Sequence, residues 1–170
     1  DVDGDGLDDI LIGAEGHTYS TGATYMMLGS TISAGIVTGT ATWDLGLADA
    51  IFLGQDTEDW SGSSVASAGD LDGDGRDDLL IGAWGQDSGG NNAGATYVML
   101  GSTVSTGIAT GTTIWSLSQA DVSFLGESSD NQSGRSVASA GDLDDDGRDD
   151  LLIGAPLSGG GTTYLLLSPY

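Results

Sequence analysis

Carboxylates at a fixed spacing recur in three short stretches of the 170-residue sequence. The stretches are DVDGDGLDD at residues 1–9, DLDGDGRDD at 70–78 and DLDDDGRDD at 142–150, called here loops 1, 2 and 3. Each has Asp at positions 1, 3, 5 and 9, and Gly at position 6, where glycine permits a sharp turn. Oxygens on alternate residues of a tight loop can converge on one point, and Ca²⁺ takes oxygen ligands at about 2.3–2.6 Å. The spacing therefore predicts three calcium sites.

The loops also have features in common with EF-hands and with simple Asp-Gly turns. An EF-hand begins with a similar run but needs a Glu at position 12 and a helix on each side. Position 12 is Ile12, Ile81 or Ile153, within short apolar runs closed by Gly that predict buried strands. The EF-hand is thereby excluded. Asp and Gly also form simple turns, but three aligned copies with four carboxylates each favour metal sites.

The charge of the sequence limits its partners. It has 26 acidic residues against three Arg, no Lys and one His, which gives a formal net charge of -23. Nucleic acid and anionic membrane surfaces are therefore not expected as partners, because both require clustered cations. No apolar run approaches the roughly 18 residues that membrane insertion requires. Uncompensated acids repel one another, so we expect folding to depend on Ca²⁺, and an extracellular or cell-surface location where calcium is millimolar.

The repetition extends well beyond the acidic loops. Residues 29–40 match 101–112, and residues 61–70 match 133–142, each pair 72 residues apart. One period contains four strand-forming segments, at 65–69, 78–83, 95–100 and 113–117, separated by clusters of Gly, Asn, Ser and Asp. No segment keeps a helical apolar period for more than two turns. We therefore predict an all-β chain of four-stranded antiparallel propeller blades, with a solenoid of 72-residue turns as the alternative.

Two further motifs complete each repeat. FLG at 52–54 and 124–126 is followed about thirty residues later by Gly-Ala at 82–83 and by Gly-Ala-Pro at 154–156. This pattern resembles the FG-GAP repeat, which builds the seven-bladed propeller of integrin α subunits and many bacterial surface proteins. The resemblance implies one Ca²⁺ between the first two strands of a blade, with position 7 contributing its backbone carbonyl. The implied ligands are Asp1, Asp3, Asp5, Leu7 and Asp9; Asp70, Asp72, Asp74, Arg76 and Asp78; and Asp142, Asp144, Asp146, Arg148 and Asp150.

The length of the chain departs from that family. Its 170 residues cover about 2.4 periods, whereas propellers close with roughly four to eight blades. We predict ten strands: a partial blade at 1–51 that lacks its first strand, a complete blade at 52–123, and a partial blade at 124–170 that lacks its last. Because open stacks leave edge strands uncovered, we expect association with other copies of the chain or with missing blades of a longer one. A start at Asp1 rather than Met suggests a processed or excised piece.

The expected function is that of a calcium-binding extracellular protein with a structural or adhesive role, assembled as a ring, stack or filament. Binding of glycans or a surface protein is the alternative, with Trp60 and Trp84 as candidate stacking platforms. The repeated Trp43 and Trp115 are predicted to pack between blades instead. Catalysis is not expected, because there is no Cys and nothing marks a nucleophile for the single His17.

Other positions have simpler predictions. Asp8, Asp77, Asp149 and Asp145 are expected to face solvent or to lie outside the ligand sets. The segments 29–42 and 101–113, rich in Ser, Thr and Gly, are predicted to be polar connections that can carry O-glycans, and Asn131 begins an Asn-Gln-Ser glycosylation sequon.

Overall fold

The described residues form three small sheets, two helices of nine or ten residues, and three short helical turns at His17–Ser20, Leu45–Leu47 and Leu117–Gln119. A computed structural model describes residues 1–40 and 42–168. Ala41 and residues 169–170, which belong to the predicted 29–42 connection and the 124–170 blade, lie outside the described residues. The strands are β1 (Ile10–Ala14), β2 (Ala23–Met27), β3 (Ala50–Leu53), β4 (Ser61–Gly69), β5 (Asp78–Ala83), β6 (Ala95–Met99), β7 (Ile114–Ser116), β8 (Val122–Leu125), β9 (Ser136–Gly141), β10 (Asp150–Ala155) and β11 (Thr162–Leu166). The helices are α1 (Gly29–Thr38) and α2 (Gly101–Ala109).

The sheets have the blade topology that the sequence predicts. Their strand orders are β1-β2-β3-β7, β4-β5-β6-β8 and β11-β10-β9, called here blades 1, 2 and 3. All pairs are antiparallel except β3 with β7, which is parallel. The protein is thus mostly β, with three- and four-stranded blades that do not close into a ring, as predicted.

Three details of the prediction are wrong. The segments expected to be polar connections contain the helices α1 and α2. The segment 113–117 does not complete its own blade: β7 pairs in parallel with β3 of the blade before it, and the fourth strand of blade 2 is β8. The described residues therefore contain eleven strands rather than ten. The division into units at 51/52 and 123/124 stays a prediction, and these positions lie within β3 and β8.

Carboxylates downstream of each helix explain why such a Gly- and Thr-rich segment is helical. Asp49 Oδ2 accepts a hydrogen bond from the Leu28 amide (2.8 Å), and Asp49 Oδ1 accepts one from the Thr31 hydroxyl (3.0 Å), at the N-terminus of α1. Asp121 does the same for Leu100 and Thr103 at α2. An anion there satisfies free N–H groups and complements the helix dipole. These contacts come from residues about twenty positions away, so no local pattern reveals them.

The largest apolar cluster lies between blades 1 and 2. Trp115 of β7 stacks on Phe52 of β3, with ring centroids 5.4 Å apart, and both side chains are buried. Val104 of α2 and Leu117 join them. The prediction that Trp115 packs between blades is confirmed, whereas Trp43 is only half-buried. A smaller cluster joins blades 2 and 3 and contains Ala68, Leu80, Val98, Val137 and Leu151.

Glycines let neighbouring blades approach closely. A Cβ on Gly82 of β5 would collide with the carbonyl oxygen of Gly134, which precedes β9. Gly13 of β1 faces the carbonyl of Gly62 in β4 in the same way. The Gly of the Gly-Ala motif therefore marks a backbone-to-backbone contact between blades in the first two repeats. In the third repeat, Gly154 instead lies against the Ser136 side chain of its own blade. None of the described helices is long and apolar enough to cross a membrane.

Candidate metal centres

Each acidic loop leads directly into a strand of its blade: loop 1 into the edge strand β1, and loops 2 and 3 into the inner strands β5 and β10. The Asp at position 1 folds the loop around its own carboxylate. Asp70 Oδ1 accepts hydrogen bonds from the amides of Gly73 (2.8 Å) and Asp74 (3.0 Å), and its Oδ2 accepts one from Gly75 (2.9 Å). Loop 1 repeats all three contacts from Asp1, and loop 3 repeats two of them from Asp142.

Positions 3 and 5 continue the same local pattern. Asp72 Oδ1 accepts from the Asp74 amide at 3.1 Å, and Asp74 Oδ1 accepts from the Arg76 amide at 2.9 Å. Equivalent bonds occur in loops 1 and 3. These bonds hold successive carboxylates on the inside of a tight turn, which is the arrangement that the spacing predicts.

Three groups of carboxylates result, one in each loop. Within each group, one oxygen from every member lies within 4.8 Å of the others, and the groups are Asp1, Asp3 and Asp9; Asp70, Asp72 and Asp74; and Asp142, Asp144 and Asp146. Nine of the twelve predicted carboxylate ligands are thus brought together. The other three, Asp5, Asp78 and Asp150, lie in the same loops without meeting that criterion.

The Asp at position 9 also connects its loop to the chain segment that follows the third strand-forming run of the repeat. Asp78 is fully buried, and its two oxygens accept hydrogen bonds from the amides of Leu71 (3.0 Å) and Gly101 (2.8 Å). It therefore connects loop 2 to the first turn of α2. Burial raises the pKa of Asp78 to about 6, and the neighbouring carboxylates of Asp72 and Asp70 act in the same direction.

The position-9 carboxylate accepts two backbone hydrogen bonds in the other two repeats as well. Asp9 accepts from Val2 and Gly29, and Asp150 accepts from Leu143 and Ser168, all at 2.8–2.9 Å. Because carboxylate oxygens have more than one lone pair, these bonds leave capacity for a metal ion.

Residues at position 7 take part through their amides, which donate to position 5: Leu7 to Asp5, Arg76 to Asp74 and Arg148 to Asp146. The two arginine side chains also reach the loop before their own. Arg76 Nε lies 3.4 Å from the carbonyl oxygen of Asp3, and the Arg148 side chain lies against Gly73. These contacts link consecutive loops.

The sequence did not reveal the role of position 8. Asp149 Oδ2 accepts a hydrogen bond from the Asp70 amide at 3.0 Å, and the Asp149 amide donates to the Asp70 carbonyl at 3.1 Å. Asp77 Oδ2 accepts from the terminal ammonium group of Asp1 at 2.7 Å, and the Asp77 amide donates to the Asp1 carbonyl at 3.1 Å. These acids therefore bridge neighbouring loops. Asp8, at the same position of loop 1, is exposed, as expected.

The donor set fits a hard divalent cation. Every donor brought together is a carboxylate oxygen, which suits Ca²⁺, Mg²⁺ or Mn²⁺ rather than a thiolate- or imidazole-seeking metal. Burial also raises the pKa of Asp3, and its neighbours Asp5 and Asp9 add to the shift.

The candidate sugar-binding tryptophans stack on each other. Trp60 and Trp84 have ring centroids 5.4 Å apart and an interplanar angle of 15°. The Arg135 guanidinium carbon lies 4.7 Å from the Trp84 ring centroid. Trp84 therefore has protein groups against its ring already, and a sugar would have to displace one of them.

These features together define a β-propeller-type repeat protein whose blades each carry an acidic loop able to hold a metal ion. The FG-GAP repeat model matches residues 1–26, 61–99 and 133–166, more than half of the chain. The chain belongs to the FG-GAP repeat family. A search of curated proteins found no match.

Proposed function

We propose that this chain is a calcium-stabilised structural segment of an extracellular adhesive protein, in which one Ca²⁺ per acidic loop fixes the edge of each blade. The observation that carries the proposal is the threefold cluster of loop carboxylates, with oxygens within 4.8 Å of one another. The formal net charge of -23 supports it, because bound cations would offset part of the repulsion.

The residues proposed to hold each ion are the Asp at positions 1, 3, 5 and 9 of the loop, together with the backbone carbonyl of position 7. Ca²⁺ would supply charge neutralisation and would tie together two chain segments, the loop and the strand that follows. The position-1 carboxylate already folds the loop through backbone amides, so little reorganisation is needed on binding. In loop 2, an ion that holds the Asp78 carboxylate would also help to fix the N-terminus of α2, because Asp78 accepts a hydrogen bond from the Gly101 amide.

Calcium titration calorimetry on loop 3 tests the site assignment, because this loop contains its own control. Asp144 belongs to the carboxylate cluster, whereas Asp145, beside it, is exposed and outside the cluster. Asp145 has a positive φ of 60°, which Asn also tolerates. We expect all three sites to bind calcium with parental affinity in Asp145→Asn, and one site to be lost or weakened in Asp144→Ala, which has no side-chain oxygen to offer. Three sites of unchanged affinity in all three proteins would exclude loop 3 as a site.

The adhesive and assembling part of the proposal rests on exposed apolar side chains in all three repeats. They are Ile36 and Val37 of α1, Val122 and Leu125 of β8, and Leu167 after β11. Such surfaces favour association. Light scattering in millimolar calcium and in EDTA tests this: a mass above 17.0 kDa that falls on chelation supports calcium-dependent assembly. A monomer in both conditions contradicts self-assembly.

A further inference from the structure

An apolar groove separates blade 2 from blade 3. Its volume is about 610 Å³, and its walls include Val98, Val122 and Phe124 of blade 2 and Leu151 and Leu166 of blade 3. Val122, in its wall, is 43% exposed. The outer edge of β8 is the edge of its sheet, since β8 pairs only with β6.

The same groove exists one repeat earlier, where the chain itself fills it. The counterparts of those five wall residues, 72 or 67 positions earlier, are Met26, Ala50, Phe52, Leu79 and Met99, and all are buried. Three side chains of the segment formed by α2, β7 and the following turn occupy the space: Val104, Trp115 and Leu117. β7 adds to β3 in parallel, and the Ile51 amide donates to the Thr113 carbonyl at 2.9 Å.

We propose that the groove between blades 2 and 3 is a docking site for a helix–strand segment with the design of residues 101–119 of this chain, which reaches the groove from the β11 side and carries no hairpin of its own. The segment adds a parallel strand to the outer edge of β8 and places a tryptophan on Phe124. Its helix lies across the mouth of the groove, over Val98 and Leu166. This inference rests on the assembly part of the proposed function and names the element that fills the open groove.

A second copy of this chain does not fit the groove. The copy's own equivalent segment is α1 with Trp43 and Leu45, which remain half-buried here. Placing that segment in the groove would put the attached β1–β2 hairpin where β10–β11 lies, because the two hairpins occupy equivalent positions in their repeats. A helix–strand segment that reaches the groove from the β11 side has no attached hairpin of its own. It therefore avoids the overlap with β10–β11.

The test appends a copy of residues 101–121, which includes the Asp121 carboxylate that holds the N-terminus of α2, directly after Leu167 in place of residues 168–170. The tether supplies a high effective concentration. The readout is hydrogen exchange at the Ser123 amide, the counterpart of Ile51, in millimolar calcium. We expect exchange at Ser123 to slow by more than about tenfold, as expected for an amide that gains a strand partner. Exchange within β5 serves as the internal reference for folding.

Two comparisons show whether protection of Ser123 depends on the groove: the appended protein with and without its added tryptophan, and Val122→Asp with Leu157→Asp. Replacing the tryptophan of the appended copy by Ala should abolish the protection. Val122→Asp, which places a charge in the groove, should abolish it as well, whereas Leu157→Asp, at a similarly exposed leucine outside the groove, should not. Unchanged exchange at Ser123 in the appended protein overturns the proposal, as does protection that survives both the Trp-to-Ala and Val122→Asp changes.

One further outcome assigns the groove to another occupant. If the parent chain self-associates, and Val122→Asp abolishes the association while Leu157→Asp does not, the groove binds a second copy and the proposal is wrong. The calcium stoichiometry is measured independently of Ser123 exchange, so failure of one proposal is distinguishable from failure of the other.

Discussion

Asp70 and Asp149 hydrogen-bond to each other in both directions across two blades. The Asp149 amide donates to the Asp70 carbonyl at 3.1 Å, and the Asp70 amide donates to Asp149 Oδ2 at 3.0 Å. Asp70 is also the residue around which loop 2 folds. The geometry of one acidic loop is therefore set partly by the next loop along the chain.

Removing this carboxylate should destabilise the protein. Asp149→Ala leaves the Asp70 amide without its partner, and a hydrogen bond to a charged group in a partly exposed site contributes about 1 kcal/mol. Urea unfolding in calcium measures the loss. Asp8→Ala is the matched control, because Asp8 has the same loop position and is exposed. Equal effects of the two substitutions would contradict the bridging role.

The close approach of blades 2 and 3 predicts a second effect. Gly82→Ala places a methyl group against the Gly134 carbonyl, so we expect a loss of about 1–3 kcal/mol in unfolding free energy. Gly16→Ala is the control, since nothing lies within 4 Å of the added Cβ and the φ of Gly16 is -82°. Chemical denaturation of both variants checks this, and a Gly82→Ala protein as stable as the control would refute the tight contact.

The stack of Trp115 on Phe52 should dominate the contact between blades 1 and 2. Trp115→Ala empties a buried site, and removal of a buried aromatic typically costs about 3–5 kcal/mol. Trp43→Ala, at the equivalent but half-buried position, should cost less than half as much. Thermal unfolding of both variants gives the comparison. If the two losses are the same, then the segment 101–119 does not fill its groove as described.

In EDTA, stability should fall as the pH rises through mildly acidic values. The pKa of Asp78 is raised from 3.8 to about 6, and the pKa values of Asp3 and Asp59 are also raised, in each case chiefly by burial. The folded state therefore holds these protons more tightly than the unfolded state does. For Asp78 this stabilising contribution is complete below about pH 4 and is lost as the pH passes about 6.

Urea unfolding of the metal-free protein between those pH values measures this slope. Asp78→Asn, which does not titrate, should flatten it. A parent whose stability increases over the same interval would show that the buried carboxylates prefer to be ionised.

Local patterns predicted the parts of the fold that depend on local chemistry. The loop spacing located all three carboxylate clusters, and the apolar run of β5 gave that strand with its correct bounds. The position-1 and position-3 contacts lie within each loop, so the sequence of nine residues contains them.

Contacts between distant segments account for what the sequence missed. The helices depend on Asp49 and Asp121, about twenty residues away, and tertiary contacts of this kind override weak helix propensity. The pairing of β7 with β3 joins segments from two repeats, and a strand pattern does not reveal which blade a strand enters. The bridges of Asp77 and Asp149 likewise need the neighbouring loop to be in place.

The central claim is that calcium stabilises this fold, and the most direct measurement is thermal unfolding in millimolar calcium and in EDTA. A ligand at ten times its dissociation constant adds about 1.4 kcal/mol per site. Three sites should therefore raise the melting temperature by many degrees in calcium, and Asp144→Ala should lose part of the gain. Identical melting temperatures with and without calcium would contradict the account.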